Sequence, residues 1–473
     1  MHFFALFLIL ILAICAPAQS GRIIPAEASN PPGTPAVQEQ SVKQMFNEAN
    51  GYIRKKGSEF DAKKIPFNER LFAQAKLEQR LLAAKFAATA ATRKDIVGED
   101  FYYLGMLNWM AENLDGTSEN LRKFITTENA AADRSQTARS IIVVIAAKQK
   151  KLDDAEKMLV DYLAHDPKKL TERARMEGEI AKAYQSQKDF IRMAPHADEG
   201  YAASKSLLKD AASRARGLDE ILDAGMLVYE AYRDGGNRQK AEAGLDDMRA
   251  TAVATGSMSF YYYAVDQKIK YLVETGHKPA ALQLYKASLT DAVKDFPKRE
   301  LQEEVLTRLK KREQHYKLLG ESAPELPMID QWFPGKARTL VEMKGKVVVL
   351  DFWATWCGPC FEAFPDLIEW QQDFGSNGLE ILGVTRYYGT IGGVPADNPS
   401  EIEYFKQFRE KEKLPYDFVV AKDQSAQILY GATALPTAVI IDRNGIIRYI
   451  ETGTSATRQA EMREMIVRLL AEK

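Results

Sequence analysis

The sequence predicts two classes of structure in one chain: an α-helical region over 38–317 and an α/β domain with a mixed sheet over 322–473. Three observations carry this. From Gln38 to Lys317 the residues Ala, Leu, Lys, Glu and Gln dominate, proline is scarce, and apolar residues recur at three- and four-residue spacing, the period of a helix face. Gly320, Pro324, Pro327, Pro334 and Gly335 then break the pattern within a short span. Beyond them the apolar run Val347-Val348-Val349-Leu350-Asp351-Phe352-Trp353 opens an alternation of strand-like and helix-like segments.

Length and composition set the outer limits. With 473 residues, about three units of ordinary domain size are expected. Hydrophobic residues at 46% and charged residues at 27% are too apolar a mixture for a disordered chain. Lys plus Arg (64) balance Asp plus Glu (65), so there is no electrostatic footprint for nucleic acid or an anionic membrane surface. Five scattered histidines and three cysteines exclude a disulfide-stapled scaffold and a Cys/His zinc cage, and no metal site is expected.

The N-terminus reads as a targeting segment. Phe3 to Ile14 is an apolar run too short for a membrane-crossing helix, and Ala16-Pro17-Ala18 supplies an A-x-A cleavage pattern. The expectation is a signal peptide over 1–18, with export to the periplasm. The positive flank such a segment usually carries is missing, and an uncleaved anchor is the alternative. Pro25, Pro31, Pro32, Gly33 and Pro35 mark 19–37 as a flexible linker. Cleavage after Ala18 removes Cys15 and leaves Cys357 and Cys360 as the whole thiol complement: one short loop, or one redox pair.

Within 38–317 a small residue followed four later by a large one recurs as Ala155 and Leu159, Ala241 and Leu245, and Ala280 and Leu284. Pro167 follows the first pair, and Tyr232 and Tyr271 precede the other two by nine residues. This resembles an unevenly spaced tetratricopeptide-like solenoid, in which small residues let antiparallel helices approach; an irregular bundle is the alternative. No catalytic constellation appears here, and contact with a protein partner or with the rest of the chain is the function this half supports.

The C-terminal pattern predicts helix 358–374, strand 379–385, helix 400–412, strand 416–420, helix 424–430, strands 437–442 and 446–452, and helix 456–472, with Asn444-Gly445 as a hairpin turn. Into this alternation falls Asp351-Phe352-Trp353-Ala354-Thr355-Trp356-Cys357-Gly358-Pro359-Cys360, a C-x-x-C where a strand gives way to a helix. Unpaired N–H groups and the helix dipole there point at Cys357 and favour a thiolate, the attacking form in disulfide exchange. Pro359 suits a first helical turn, and Pro365 falls inside the helix. Asp351, amid Val349, Leu350, Phe352 and Trp353, is expected to be buried with a raised pKa.

Residues 322–473 resemble the thioredoxin superfamily, and most closely its exported TlpA-like branch of thiol–disulfide oxidoreductases. The likeness rests on Phe352 to Cys360, on Pro365, on Leu435-Pro436-Thr437, and on Ala323-Pro324-Glu325-Leu326 with Lys344-Gly345-Lys346 ahead of the first core strand. It covers about a third of the chain. The resemblance implies a thioredoxin-fold enzyme acting on protein thiols and disulfides without an organic cofactor, its redox couple being the Cys357–Cys360 disulfide, and supplied with electrons by a membrane-bound donor. Cys357 would be the exposed nucleophile, Cys360 the buried resolving thiol, and Asp351 its proton partner. Pro436 would be cis beside the sulfurs, with Leu435 and Thr437 offering backbone groups to an extended substrate. Trp356, Gly358 and Pro359 would line the substrate side, Trp356 shielding one flank. The Gly358-Pro359 dipeptide implies a reducing potential. A disulfide oxidant or isomerase, and a non-catalytic partner-binding scaffold, are the alternatives. The peroxiredoxin Thr-x-x-Cys site is replaced here by WCGPC. The branch commonly has an uncharged residue at Asp351, and some members carry a glutamate in the central insertion, where this chain reads Arg386-Tyr387-Tyr388-Gly389. That long loop either shapes substrate choice or is an idle edge.

Overall fold

The computed structural model describes residues 40–66, 68–209 and 211–472. The expected signal peptide (1–18) and linker (19–37) lie outside the described residues. Among the described residues no helix is long and apolar enough to cross a membrane.

Fourteen α-helices precede the first strand among the described residues: α1 (Val42–Ala62), α2 (Glu69–Ala91), α3 (Asp100–Met110), α4 (Leu114–Ile125), α5 (Ala132–Lys148), α6 (Leu152–Ala164), α7 (Leu170–Ser186), α8 (Phe190–Leu207), α9 (Arg214–Asp234), α10 (Arg238–Thr255), α11 (Met258–Glu274), α12 (Lys278–Asp295), α13 (Arg299–Lys311) and α14 (Glu313–Leu318). The chain divides into two compact units: residues up to Lys94 with Met106–Glu112, and Asp95–Gly105 with everything from Asn113 onward. In the first, Ser41 and Gln44 close a capping box on α1, and Gln79 of α2 donates to the Ala49 carbonyl at 2.9 Å.

In the second unit each helix from α4 to α13 packs on its successor, and α5 also meets α7, α7 meets α9, and α11 meets α13. The small-large pairs explain two of these approaches: Ala155 and Leu159 of α6, and Ala241 and Leu245 of α10, are all buried. The third pair is displaced by one residue. Ala280 is exposed; α12 starts at Lys278 with Pro279 in its first turn, and its inward stripe runs Ala281, Tyr285, Ser288 and Ala292.

The C-terminal part contains β1 (Ile329–Phe333), β2 (Val347–Phe352), α15 (Gly358–Phe374), β3 (Leu379–Arg386), β4 (Thr390–Ile391), β5 (Val394–Pro395), α16 (Asn398–Glu412), β6 (Asp417–Ala421), α17 (Ser425–Tyr430), β7 (Thr437–Ile441), β8 (Ile447–Thr452) and α18 (Ala456–Ala471). Six strands form one sheet in the order β1-β6-β3-β2-β7-β8. Strands β2, β3 and β6 run parallel, while β7, β8 and β1 are antiparallel to their neighbours, giving the mixed sheet the sequence predicts. All six residues of β2 are buried, which is why this central strand reads as an unbroken apolar run. Alternation divides it between two cores. Val347 and Val349 face the core shared with α15, α16 and α18; Val348, Leu350 and Phe352 face the core shared with α17 and Leu319.

A buried ionic cluster joins the helical part to β8. Arg312 donates to Asp266 of α11 (3.2 Å), to Glu451 of β8 (3.1 Å) and to the Ile450 carbonyl (3.2 Å). Lys270 bridges Asp266 and Glu451, and Tyr316 donates to Asp266 at 2.7 Å. Burial alone would raise both carboxyls, but Lys270 and Arg312 hold Asp266 and Glu451 below their ordinary range. His315 accepts from Arg312 at Nδ1 (2.9 Å) and donates from Nε2 to the Gly431 carbonyl (2.9 Å); burial and the Arg312 charge push it down to about 4, so it is neutral at pH 7.

Candidate active site

Strand β2 ends at Phe352, and the chain crosses to α15 through Ala354 and Thr355. Because β2 and β3 are parallel and paired as far as Phe352 with Val384, the loops leaving both strands emerge side by side. Ligands of open α/β sheets bind in such crevices, outside the carboxyl ends of the strands. Cys357 is the N-cap of α15; its carbonyl accepts from Cys360 N at 3.0 Å, and its own N–H donates to Ala354 O at 3.1 Å. Cys357 and Cys360 are joined as a disulfide with Cα atoms 5.3 Å apart. Pro359 stands in the first helical turn, where no backbone donor is needed.

Exposure departs from expectation at the nucleophile. Cys357 is only 4% exposed and Cys360 1%. The exposed group is Trp356, at 60%, with Gly358 and Pro359 also open to solvent. Both cysteines belong to the core beneath α15, whose margin includes Tyr388 and Leu435.

Asp351 sits on that same side of the sheet by strand alternation with Val347 and Val349. It is 2% exposed, its Oδ2 has no hydrogen-bond partner, and burial alone pushes its carboxyl from 3.8 up to about 7. Two neighbours escape the sequence reading. Burial and then the Asp351 charge push the Tyr416 phenol well above its ordinary range, and that hydroxyl is also unpartnered. Gly383 pairs with Asp351 across β3, and a Cβ there would lie 2.7 Å from Trp353 Nε1 and 2.9 Å from Phe418 Cβ. Trp353 is wholly buried, ringed by Phe364, Phe405, Phe408 and Phe418. In sequence these residues carry no signal beyond core.

The Leu435–Pro436 peptide is cis, and Pro436 is buried. Its carbonyl accepts from Gly453 N at 2.7 Å and is therefore already engaged within the fold. The Thr437 side chain is fully buried, faces the opposite side of the sheet from Ala438 and Ile440, and its hydroxyl bonds Ala434 O (2.7 Å) and Thr452 Oγ1 (2.9 Å), so that only the backbone of this residue is left for the role the resemblance implies. Its side chain fastens β7 to β8 and is not available to a substrate. Among the described residues no cluster of His, Cys, Asp and Glu could hold a metal ion.

A mixed sheet with a C-x-x-C disulfide at a helix N-terminus, opposite a cis-proline segment, defines a thioredoxin-fold domain of the thiol–disulfide oxidoreductase class. Comparison with known proteins agrees. Residues 319–450 match the family model described as AhpC/TSA. The thiol-disulfide oxidoreductase ResA of Geobacillus thermodenitrificans (strain NG80-2) is 32% identical over 136 residues, 29% of this chain and 70% of that protein. ResA of Bacillus subtilis (strain 168) is 31% identical over 137 residues, 28% of this chain and 68% of that protein. A crystal structure of a putative thiol:disulfide interchange protein DsbE from Chlorobium tepidum is 28% identical, with a TM-score of 0.25, covering 32% of this chain and 99% of that one. The chain belongs, through its C-terminal third, to the ResA family of thiol–disulfide oxidoreductases.

Proposed function

We propose that this protein is an exported reductase of protein disulfides. The observation that carries the reading is the Cys357–Cys360 disulfide at the N-terminus of α15, with the buried carboxyl of Asp351 on the sheet face beneath it. In the reduced chain the helix N-terminus favours a Cys357 thiolate. That thiolate attacks a substrate disulfide; a bond forms between Cys357 Sγ and one substrate sulfur, and the other leaves as thiolate. Cys360 then gives its proton to Asp351 and attacks Cys357 Sγ, expelling the second substrate thiolate. The chain is left oxidised by two electrons as the disulfide seen here. A carboxyl whose pKa is about 7 is matched to exchanging a proton near neutral pH. No organic cofactor is required. The Gly358-Pro359 dipeptide supports reduction as the direction, and a membrane-bound donor would return the chain to the dithiol. Export rests on the apolar segment and cleavage pattern at 3–18. The helical half docks the catalytic domain through Arg312, Lys270 and His315 and leaves its remaining faces for a partner.

Trapping tests this reading. Cys360→Ser removes the resolving thiol, so clients should accumulate as mixed disulfides on Cys357 that dithiothreitol releases. Cys357→Ser should abolish both turnover and trapping. Partners held by Cys360→Ser through non-covalent contacts alone would make the protein a scaffold.

A further inference from the structure

The loop leaving β3 is built as a fixed element. Glu401, in the first turn of α16, is 2% exposed, and its two carboxylate oxygens accept from the backbone N–H groups of Tyr388 (2.9 Å) and Gly389 (2.7 Å). A buried carboxylate with each oxygen engaged by a backbone donor is a strong, directional anchor. Gly389 O in turn accepts from Ala396 N at 2.9 Å, closing the loop around the β4–β5 hairpin.

The Tyr388 side chain is fixed as firmly as its backbone. Gln427 Nε2 donates to the phenol oxygen at 3.1 Å, Arg386 Nε donates to Gln427 Oε1 at 3.0 Å, and the Arg386 guanidinium lies 4.1 Å from the Tyr388 ring centroid. Tyr388 then meets Trp356 edge to face, ring centroids 5.3 Å apart and planes at 88°. Trp356 immediately precedes Cys357 and is 60% exposed, whereas Cys357 is 4% exposed. An incoming disulfide therefore meets an aromatic surface before it meets sulfur.

We propose that Tyr388, held by Glu401, is a positioning residue that sets Trp356 as a docking surface for the polypeptide flanking a substrate disulfide, and so makes the site prefer polypeptide disulfides to small ones. The inference rests on the exchange reaction at Cys357 proposed above. Trp356 offers a broad apolar contact to a neighbouring apolar side chain of the substrate. Its orientation is retained in the absence of substrate because Tyr388 occupies its inner edge, and pre-organisation of this kind lowers the cost of binding. A small anionic disulfide such as oxidised glutathione reaches the sulfurs without spanning that surface.

The test compares insulin with oxidised glutathione as substrates for the reduced full chain, in the parent and in Tyr388→Ala, Tyr388→Phe and Glu401→Gln, each checked for an unchanged thermal midpoint of α-helical signal. Tyr388→Ala should raise KM for insulin about fivefold to tenfold, with kcat moving less, and lower the insulin-to-glutathione ratio of kcat/KM by a similar factor. Tyr388→Phe, which keeps the ring, should restore most of that ratio, and Glu401→Gln should shift it in the direction of Tyr388→Ala. An unchanged ratio in Tyr388→Ala, or failure of the Phe variant to restore it, overturns the role of the loop. Cys357→Ser in the same assay separates the two levels: turnover that survives it overturns the exchange reaction itself.

Discussion

Replacing Asp351 with Asn should change how the stability of the C-terminal domain depends on pH. Asp351 is buried on β2 and its carboxyl is raised by burial from 3.8 to about 7. A carboxyl whose pKa is higher in the folded than in the unfolded chain carries no penalty below about pH 3.8, where both states are protonated. The penalty grows as pH rises towards 7 and is constant above it. With those two values it amounts to about 1.7 kcal/mol at pH 5 and about 4 kcal/mol at pH 8. Asn is close in shape and does not titrate. Relative to the variant, the wild-type domain should therefore lose about 2.5 kcal/mol between pH 5 and pH 8, whatever constant offset the amide introduces. The assay is urea unfolding of the oxidised chain at several pH values, followed by tryptophan fluorescence; Trp332, Trp353, Trp356 and Trp370, four of the five tryptophans, lie in this domain. Parallel stability profiles for the two proteins would refute the reasoning, because they would mean that Asp351 titrates alike in the folded and unfolded states.

Two further outcomes follow from the packing. Arg312→Met leaves Asp266 and Glu451 buried with Lys270 as their remaining cation, and should cost about 3–5 kcal/mol in urea unfolding. The quadruple change that also replaces Lys270, Asp266 and Glu451 with neutral residues, so that no buried charge is left without a partner, should recover much of that loss, and a purely additive cycle would show that the cluster is not coupled. Gly383→Ala places a methyl group 2.7 Å from Trp353 Nε1 and should destabilise the domain by about 1–3 kcal/mol, read as a lower urea midpoint at unchanged m-value.

Much of this domain is legible in the sequence because its central strands are buried and its helix signals are sharp. The expected helix over 358–374 and hairpin at Asn444-Gly445 match α15 and the β7–β8 connection, since Pro359 starts the one and Gly445, with a φ of 84°, permits the other. Strand β1 is hidden: it is a half-buried edge strand with a register shift near Ile329, set between Pro327 and Pro334, where prolines read as loop. The displaced pair in α12 shows how a period-3.6 pattern can be read one residue out when adjacent alanines, Ala280 and Ala281, both satisfy it. At the site, C-x-x-C is a local signal and is read directly. Glu401 and Tyr416 are not, because a glutamate in the first turn of a helix and a tyrosine beside a strand look ordinary until the fold brings them to Tyr388 and Asp351. The burial of Cys357 is equally non-local, since it depends on a core assembled from distant segments.

The most direct test of the central claim is the reduction potential of the Cys357–Cys360 pair, obtained by equilibrating the chain across a glutathione redox series. A thiol–disulfide reductase should give a value close to that of thioredoxin, about -270 mV. A value near about -120 mV, the range of the oxidant DsbA, would contradict reduction as the direction and make this site a donor of disulfides.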